Sequence, residues 1–236
     1  MHKLSRFKGQ SSPTLFRTSI GKNDIDQPLL AELMARWRRR YEMDEPAWEN
    51  VALMRSLNMA YHASLLPAGT ETTFYDVGRV VSLWVSAFEI LVHPGKNGRA
   101  NRDKVIKMIE RTCWAKAESG QLVYDPGETT KEKRTLASWL CQMLYDCRND
   151  FLHGNHVERS KLVLPTPQRT IFEYAAPLYR IALTAFLPLT YQVAIPSADD
   201  PHAFAAWTND PMGFMRPQKT TEEALLTATH PPASLT

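Results

Sequence analysis

The sequence predicts an all-α protein: a bundle of about five to six helices between a flexible N-terminal arm and a Pro-rich C-terminal tail. Two observations lead there. Glycine is scarce, 10 of 236 residues, while 44% of the chain is hydrophobic, enough for a real core. Apolar residues also recur at three- and four-residue intervals, the period of a helix face rather than a strand.

Residues 1–26, rich in Ser, Lys and Arg, read as a basic flexible arm, and 27–195 as the helical domain. A first helix begins at Asp26, with Pro28 in its first turn, where a missing N–H is harmless, and Leu29, Leu33 and Trp37 following. Asp44 reads as the N-cap of a second helix carrying Pro46 early and running to about Leu66. A third starts near Thr72 and carries the stripe Val77, Val81, Trp84, Val85, Phe88 and Val92 until Pro94 and Gly95 end it. Asn101 caps a fourth, with Val105, Ile106, Ile109, Cys113 and Trp114 inward. After a polar loop from Ser119 to Thr130, a fifth runs from Lys131 to Gly154, its stripe Leu136, Leu140, Met143, Leu144 and Cys147. A last helix covers about Thr170 to Leu187, and Lys161 to Leu164 form at most a brief extended segment. Residues 196–236, rich in Pro, Thr and Ala, read as a low-structure tail.

The net charge of +3 and pI of about 8.7 permit a nucleic-acid partner without demanding one. Three cysteines, with no C-x-x-C spacing, argue against a disulfide framework and a zinc site, and are expected as reduced, mostly buried thiols. Residues 1–16 are polar and basic with no apolar run, so no secretory signal is expected there, and the most apolar stretch, Ile181 to Ile195, is short and interrupted by Pro188. A soluble, cytoplasmic protein without cofactor is expected. Gly95-Lys96-Asn97-Gly98 lacks the strand and glycine spacing of a phosphate loop.

The chemistry concentrates in Arg148-Asn149-Asp150-Phe151-Leu152-His153-Gly154. Spacing alone is weak evidence, because Arg55 and His62 also share a helix face by chance. On an unbroken helix, Arg148 and His153 point about 140° apart. Gly154 as a helix stop lets His153 swing back toward Arg148, or a second copy brings the two together across a dimer axis. Arg148 lies at the margin of its stripe, where a guanidinium is usually paired, and Glu89 is the candidate partner. That pair either holds two helices in register or orients the arginine for a substrate.

The segment from Tyr145 through Arg148 and Asn149 to His153-Gly154, preceded by Ser86-Ala87-Phe88-Glu89, resembles the HEPN domains, particularly the Apea-like group. The resemblance covers roughly residues 44 to 190, leaving out the arm, the Arg-rich first helix and the tail. It implies a helical homodimer that cleaves RNA without metal, as a toxin or antiviral defence effector, under the control of a partner protein in some settings. RNA carries its own nucleophile, the ribose 2′-hydroxyl, so an enzyme needs only a proton carrier and a cation for the phosphate. Histidine suits the first task and arginine the second. His153 is then acid and base, Arg148 the phosphate clamp and Asn149 a positioning group. Glu89 and Tyr145 support them, and His156 assists or is simply a surface histidine. Other HEPN domains only dimerise and bind a nucleotide or a partner protein, and that alternative stays open. Arg36, Arg39 and Arg40 beside Trp37 and Tyr41, and Lys131 and Lys133, are candidate RNA contacts, against the plainer reading of a solvated face.

Overall fold

The computed structural model describes residues 25–65, 74–125, 132–164, 169–189, 201–202 and 216–229. Among them the protein is all-α: seven helices and no strand, only two isolated antiparallel bridges. Most of the predicted arm lies outside the described residues. No described helix is long and apolar enough to cross a membrane.

Helix α1 (Gln27–Tyr41) begins as its sequence suggests. The Asp26 carboxylate accepts from the Leu29 N–H at 3.3 Å, and Pro28 occupies the first turn. Helix α2 (Trp48–Ser64) starts later than expected, with Ala47 rather than Asp44 at its N-cap. Pro46 is the reason: it disfavours helical geometry at the residue before it, so Glu45 cannot join Asp44 to the helix. Helix α3 (Phe74–Leu91) forms the centre. Val77, Val81, Trp84, Val85 and Phe88 of its predicted stripe are all buried, packed against α2 and α5. A buried Ser56 hydroxyl ties α2 to α3 by donating to the Ala87 carbonyl at 2.7 Å, and lies 2.7 Å from the Tyr179 hydroxyl.

Helix α4 (Arg102–Ile109) is capped by Asn101, whose side chain accepts from the Lys104 N–H. It stops at Ile109, so Cys113 and Trp114 are not on its inner face. Tight i to i+3 bonds at Arg111 and Thr112 close the last turn, and Cys113 is exposed, unlike the buried Cys141 and Cys147.

Helix α5 (Leu136–Leu152) carries the motif and also starts later than predicted. Arg134 is held extended by paired backbone bonds to Tyr124 at 2.9 and 3.1 Å, and Thr135 caps the helix through the Ser138 N–H at 3.2 Å. Lys133 therefore precedes the helix, and Lys131 lies outside the described residues. A brief extended pairing links Val163 to Thr170, and a capping box at Thr170 and Glu173 leads through a short 3-10 turn into α6 (Ala175–Phe186).

The low-structure tail expected over 196–236 is corrected for residues 216–229. Helix α7 (Arg216–Leu226) packs on α6, and Leu225 and Ala228 enter the core. The wholly buried Glu222 carboxylate accepts from the backbone N–H groups of Ala115 and Lys116, each at 2.8 Å, and from the Gln218 side chain at 2.7 Å. This helix takes the count beyond the expected five to six. Its composition is polar, and the few apolar side chains it has gain their partners only from the folded core.

Candidate functional site

The end of α5 is a Schellman motif. Gly154 adopts φ +71°, the Asn155 N–H reaches the Asp150 carbonyl at 2.9 Å, and the Gly154 N–H the Phe151 carbonyl at 3.4 Å. The chain then folds back over the helix. Lys161 binds the Asp150 carboxylate at 2.7 Å, the Asn155 amide binds it at 3.0 Å, and Cys147 donates to the Lys161 carbonyl. These contacts hold the Asp150 carboxyl below its usual range.

Tyr145, Arg148, Asn149 and Leu152 fall on one side of α5, three and four residues apart. Opposite them α3 presents Glu89. The Arg148 guanidinium lies 3.9 Å from the Glu89 carboxylate and donates to the Asn149 side-chain oxygen at 3.3 Å. Both members of the ion pair are about a quarter exposed, so the arginine is anchored from behind with donors left toward solvent.

Burial pushes the Glu89 carboxyl above the ordinary value of 4.5, while Arg148 and the Tyr145 hydroxyl pull it back. That hydroxyl is buried without a hydrogen bond of normal geometry, yet it lies near enough to Glu89 to favour the ionised carboxylate. Burial, with the nearby Cys141 and Glu89, raises the Tyr145 phenol far above its usual range. Tyr145 is therefore a protonated phenol at neutral pH. Burial likewise pushes Cys141 up to about 12 and Cys147 up to about 11, so neither is a thiolate nucleophile at neutral pH.

His153 is the C-cap residue, its N–H still bonded to the Asn149 carbonyl at 2.9 Å and its side chain exposed. The helix stays regular through Leu152, and no hydrogen bond or ion pair joins Arg148 to His153 among the described residues. Between them Leu152 is 58% exposed. His156 is also exposed.

The basic residues singled out on α1 stand apart from this site. Arg36 is bound to Glu32 at 2.8 Å and to the buried Asn50 at 3.3 Å, which joins α1 to α2. Arg40 lies over the Tyr41 ring at 5.0 Å, and Arg39 and Lys133 are exposed. Among the described residues no bond links any of them to Arg148.

One feature escapes sequence reading. A pocket of about 440 Å3 opens beside Glu89, lined also by Met59, Ser86, His93 and Arg99. His93 follows Glu89 by four residues, one helical turn, the spacing that could have singled it out. Its Nδ1 accepts from the Gly95 N–H at 3.1 Å, which places the proton of the neutral ring on Nε2. Arg99 arrives from a loop, and no periodicity announces it. Among the described residues, no group of three or more His, Cys, Asp and Glu side chains is arranged to hold a metal ion.

Comparison of the chain with protein-family models, curated proteins and solved structures gave no match.

Proposed function

We propose that this protein is a metal-independent endoribonuclease of HEPN type, in which two copies of the chain supply one cleavage site. The observation that carries the reading is the anchoring of Arg148 by Glu89 and Asn149 at the end of α5, one turn before an exposed His153. A guanidinium held this way meets a phosphate already oriented, so little ordering is left for the transition state. His153, free of intramolecular bonds to Arg148, is placed to move protons on RNA or to reach a second copy's Arg148. The exposed Leu152 gives that second copy an apolar contact. Attack by the ribose 2′-hydroxyl leaves a cyclic phosphate and a free 5′-hydroxyl. Such an activity suits a toxin or defence effector.

The separation of Arg148 from His153 within one chain also favours a second reading, a HEPN-like module that dimerises and binds a nucleotide or partner protein without cleaving. The deciding experiment incubates the purified protein with mixed RNAs in EDTA, beside Arg148→Ala and His153→Ala. Cleavage that survives EDTA and disappears in both variants supports the ribonuclease. A stable dimer that cleaves no RNA supports the second reading, and cleavage indifferent to both substitutions removes this site from consideration.

A further inference from the structure

A second concave site lies across the α3–α4 loop from Glu89. Lys104, Lys107 and Arg111 rim a pocket of about 360 Å3 whose floor includes Val92, Met108 and Phe186. Lys104 and Lys107 lie one turn apart on α4, and Arg111 follows the Glu110 C-cap. Among the described residues no carboxylate lines the pocket, and none of the three cations is paired with one. Lys104 instead donates to the Arg99 carbonyl at 2.8 Å, which ties this rim to the loop that lines the pocket beside Glu89.

Cations near a helix C-terminus favour the dipole of α4, which accounts for Lys107 and Arg111 being tolerated there. It does not account for their gathering around an apolar hollow. The α1 arginines show the contrast: Arg36 is consumed by Glu32 and Asn50, and Arg40 covers Tyr41. All three cations are exposed, so their pull on a phosphate is the sum of three like charges converging on one hollow and is screened by salt. The apolar floor suits a flat, weakly polar body attached to that phosphate, and the size falls within the roughly 300–1,000 Å3 of small-ligand pockets.

We propose that the Lys104–Lys107–Arg111 pocket binds a nucleotide unit, its phosphate on the three cations and its base over the Val92–Met108–Phe186 floor. The inference rests on the ribonuclease reading only for its choice of occupant, a nucleotide of the RNA strand flanking the Arg148 site rather than a free nucleotide.

The test measures binding of a fluorescent 2′-O-methyl single-stranded oligonucleotide to the full chain, with ATP and inorganic phosphate as competitors. The methyl group blocks the nucleophile, so binding is read apart from cleavage. Binding is expected to weaken with salt. The Lys107→Gln/Arg111→Gln double variant should bind about tenfold more weakly and lose about 1.4 from the log–log salt slope, the share of two phosphate contacts on a single strand. A charge-preserving Lys107→Arg/Arg111→Lys variant should restore both, which separates charge from folding, and Arg148→Ala should lose about 0.7 from the slope, the share of its own single phosphate contact. ATP competing in the wild type but not in the double variant assigns the pocket to a free nucleotide, and no competition assigns it to the strand. Unchanged oligonucleotide affinity and ATP competition in the double variant, or no binding of either probe at low salt, would overturn the proposal. A wild type that binds this way and cleaves nothing fails the ribonuclease reading alone.

Discussion

The Arg148 guanidinium and the Glu89 carboxylate meet at 3.9 Å across the packed faces of α5 and α3, both of them half-buried. The contact fixes where the arginine points. It also places an acidic group where burial disfavours its charge, so the pair stays responsive to pH and to substitution.

Glu89→Gln should leave the fold intact and lower RNA cleavage about tenfold, the scale of losing an orienting interaction of roughly 1.4 kcal/mol rather than the clamp itself. Arg148→Ala should abolish cleavage. Single-turnover rates with circular dichroism on each variant check this. Equal rates for wild type and Glu89→Gln would make the ion pair a register device only.

The pH dependence of stability has a definite sign at Glu89. Its carboxyl is raised in the folded state, so the native protein binds more protons than the unfolded chain above the ordinary value of 4.5. Glu89 therefore contributes a loss of stability as pH rises from that value through the raised one. The lowered Asp150 does the reverse: its contribution is present above the ordinary carboxylate value and is lost as pH falls through the folded one. Urea unfolding across pH 3–7 should show a less negative slope for Glu89→Gln than for the wild type above 4.5.

If two copies complete one site, Arg148→Ala and His153→Ala are each inactive alone, and mixing them after unfolding and refolding should restore up to about a quarter of wild-type activity, from the one intact composite site in half of the dimers. A titration of one inactive variant against the other reads this directly. Persistent inactivity in a demonstrated heterodimer would place both groups of a working site on the same chain.

Two glycines test the packing around the motif by different routes. A Cβ at Gly154 meets nothing within 4 Å, so Gly154→Ala is strained only by its φ of +71° and should cost about 1 kcal/mol. At Gly78 the added carbon would lie 2.9 Å from the Phe151 ring, and Gly78→Ala should cost about 1–3 kcal/mol as α3 and α5 are pushed apart. Chemical denaturation of both distinguishes backbone strain from overpacking.

Helix α7 should behave as part of the domain. Leu225→Ala is expected to cost about 2–5 kcal/mol, because its side chain is buried in the core. Glu222→Ala leaves the Ala115 and Lys116 N–H groups without their acceptor and should cost about 1–3 kcal/mol. Urea midpoints unchanged in both variants would mean that α7 detaches without consequence.

Local physics made much of the fold legible from sequence. The helix start at Asp26 and the Asn101 cap stand where the sequence places them, since each needs only its own side chain and the next turn. The stripe Val77, Val81, Trp84, Val85 and Phe88 is buried for the same reason, a fixed helical period. Starts at Asp44 and Lys131 were misread because a proline and a cross-loop bridge to Tyr124 override the local pattern. Arg55 and His62 remain exposed on α2, with Arg55 over the Trp48 ring at 5.8 Å.

The sequence by itself determined the helical class, the Gly154 stop and the margin position of Arg148, because these follow from residues within a turn or two of each other. Only the tertiary structure decided that Glu89 reaches Arg148 and that a polar tail segment enters the core. Those outcomes depend on how helices distant in the chain pack together: the sequence offers Glu89 as a candidate, and only packing brings it to 3.9 Å from Arg148.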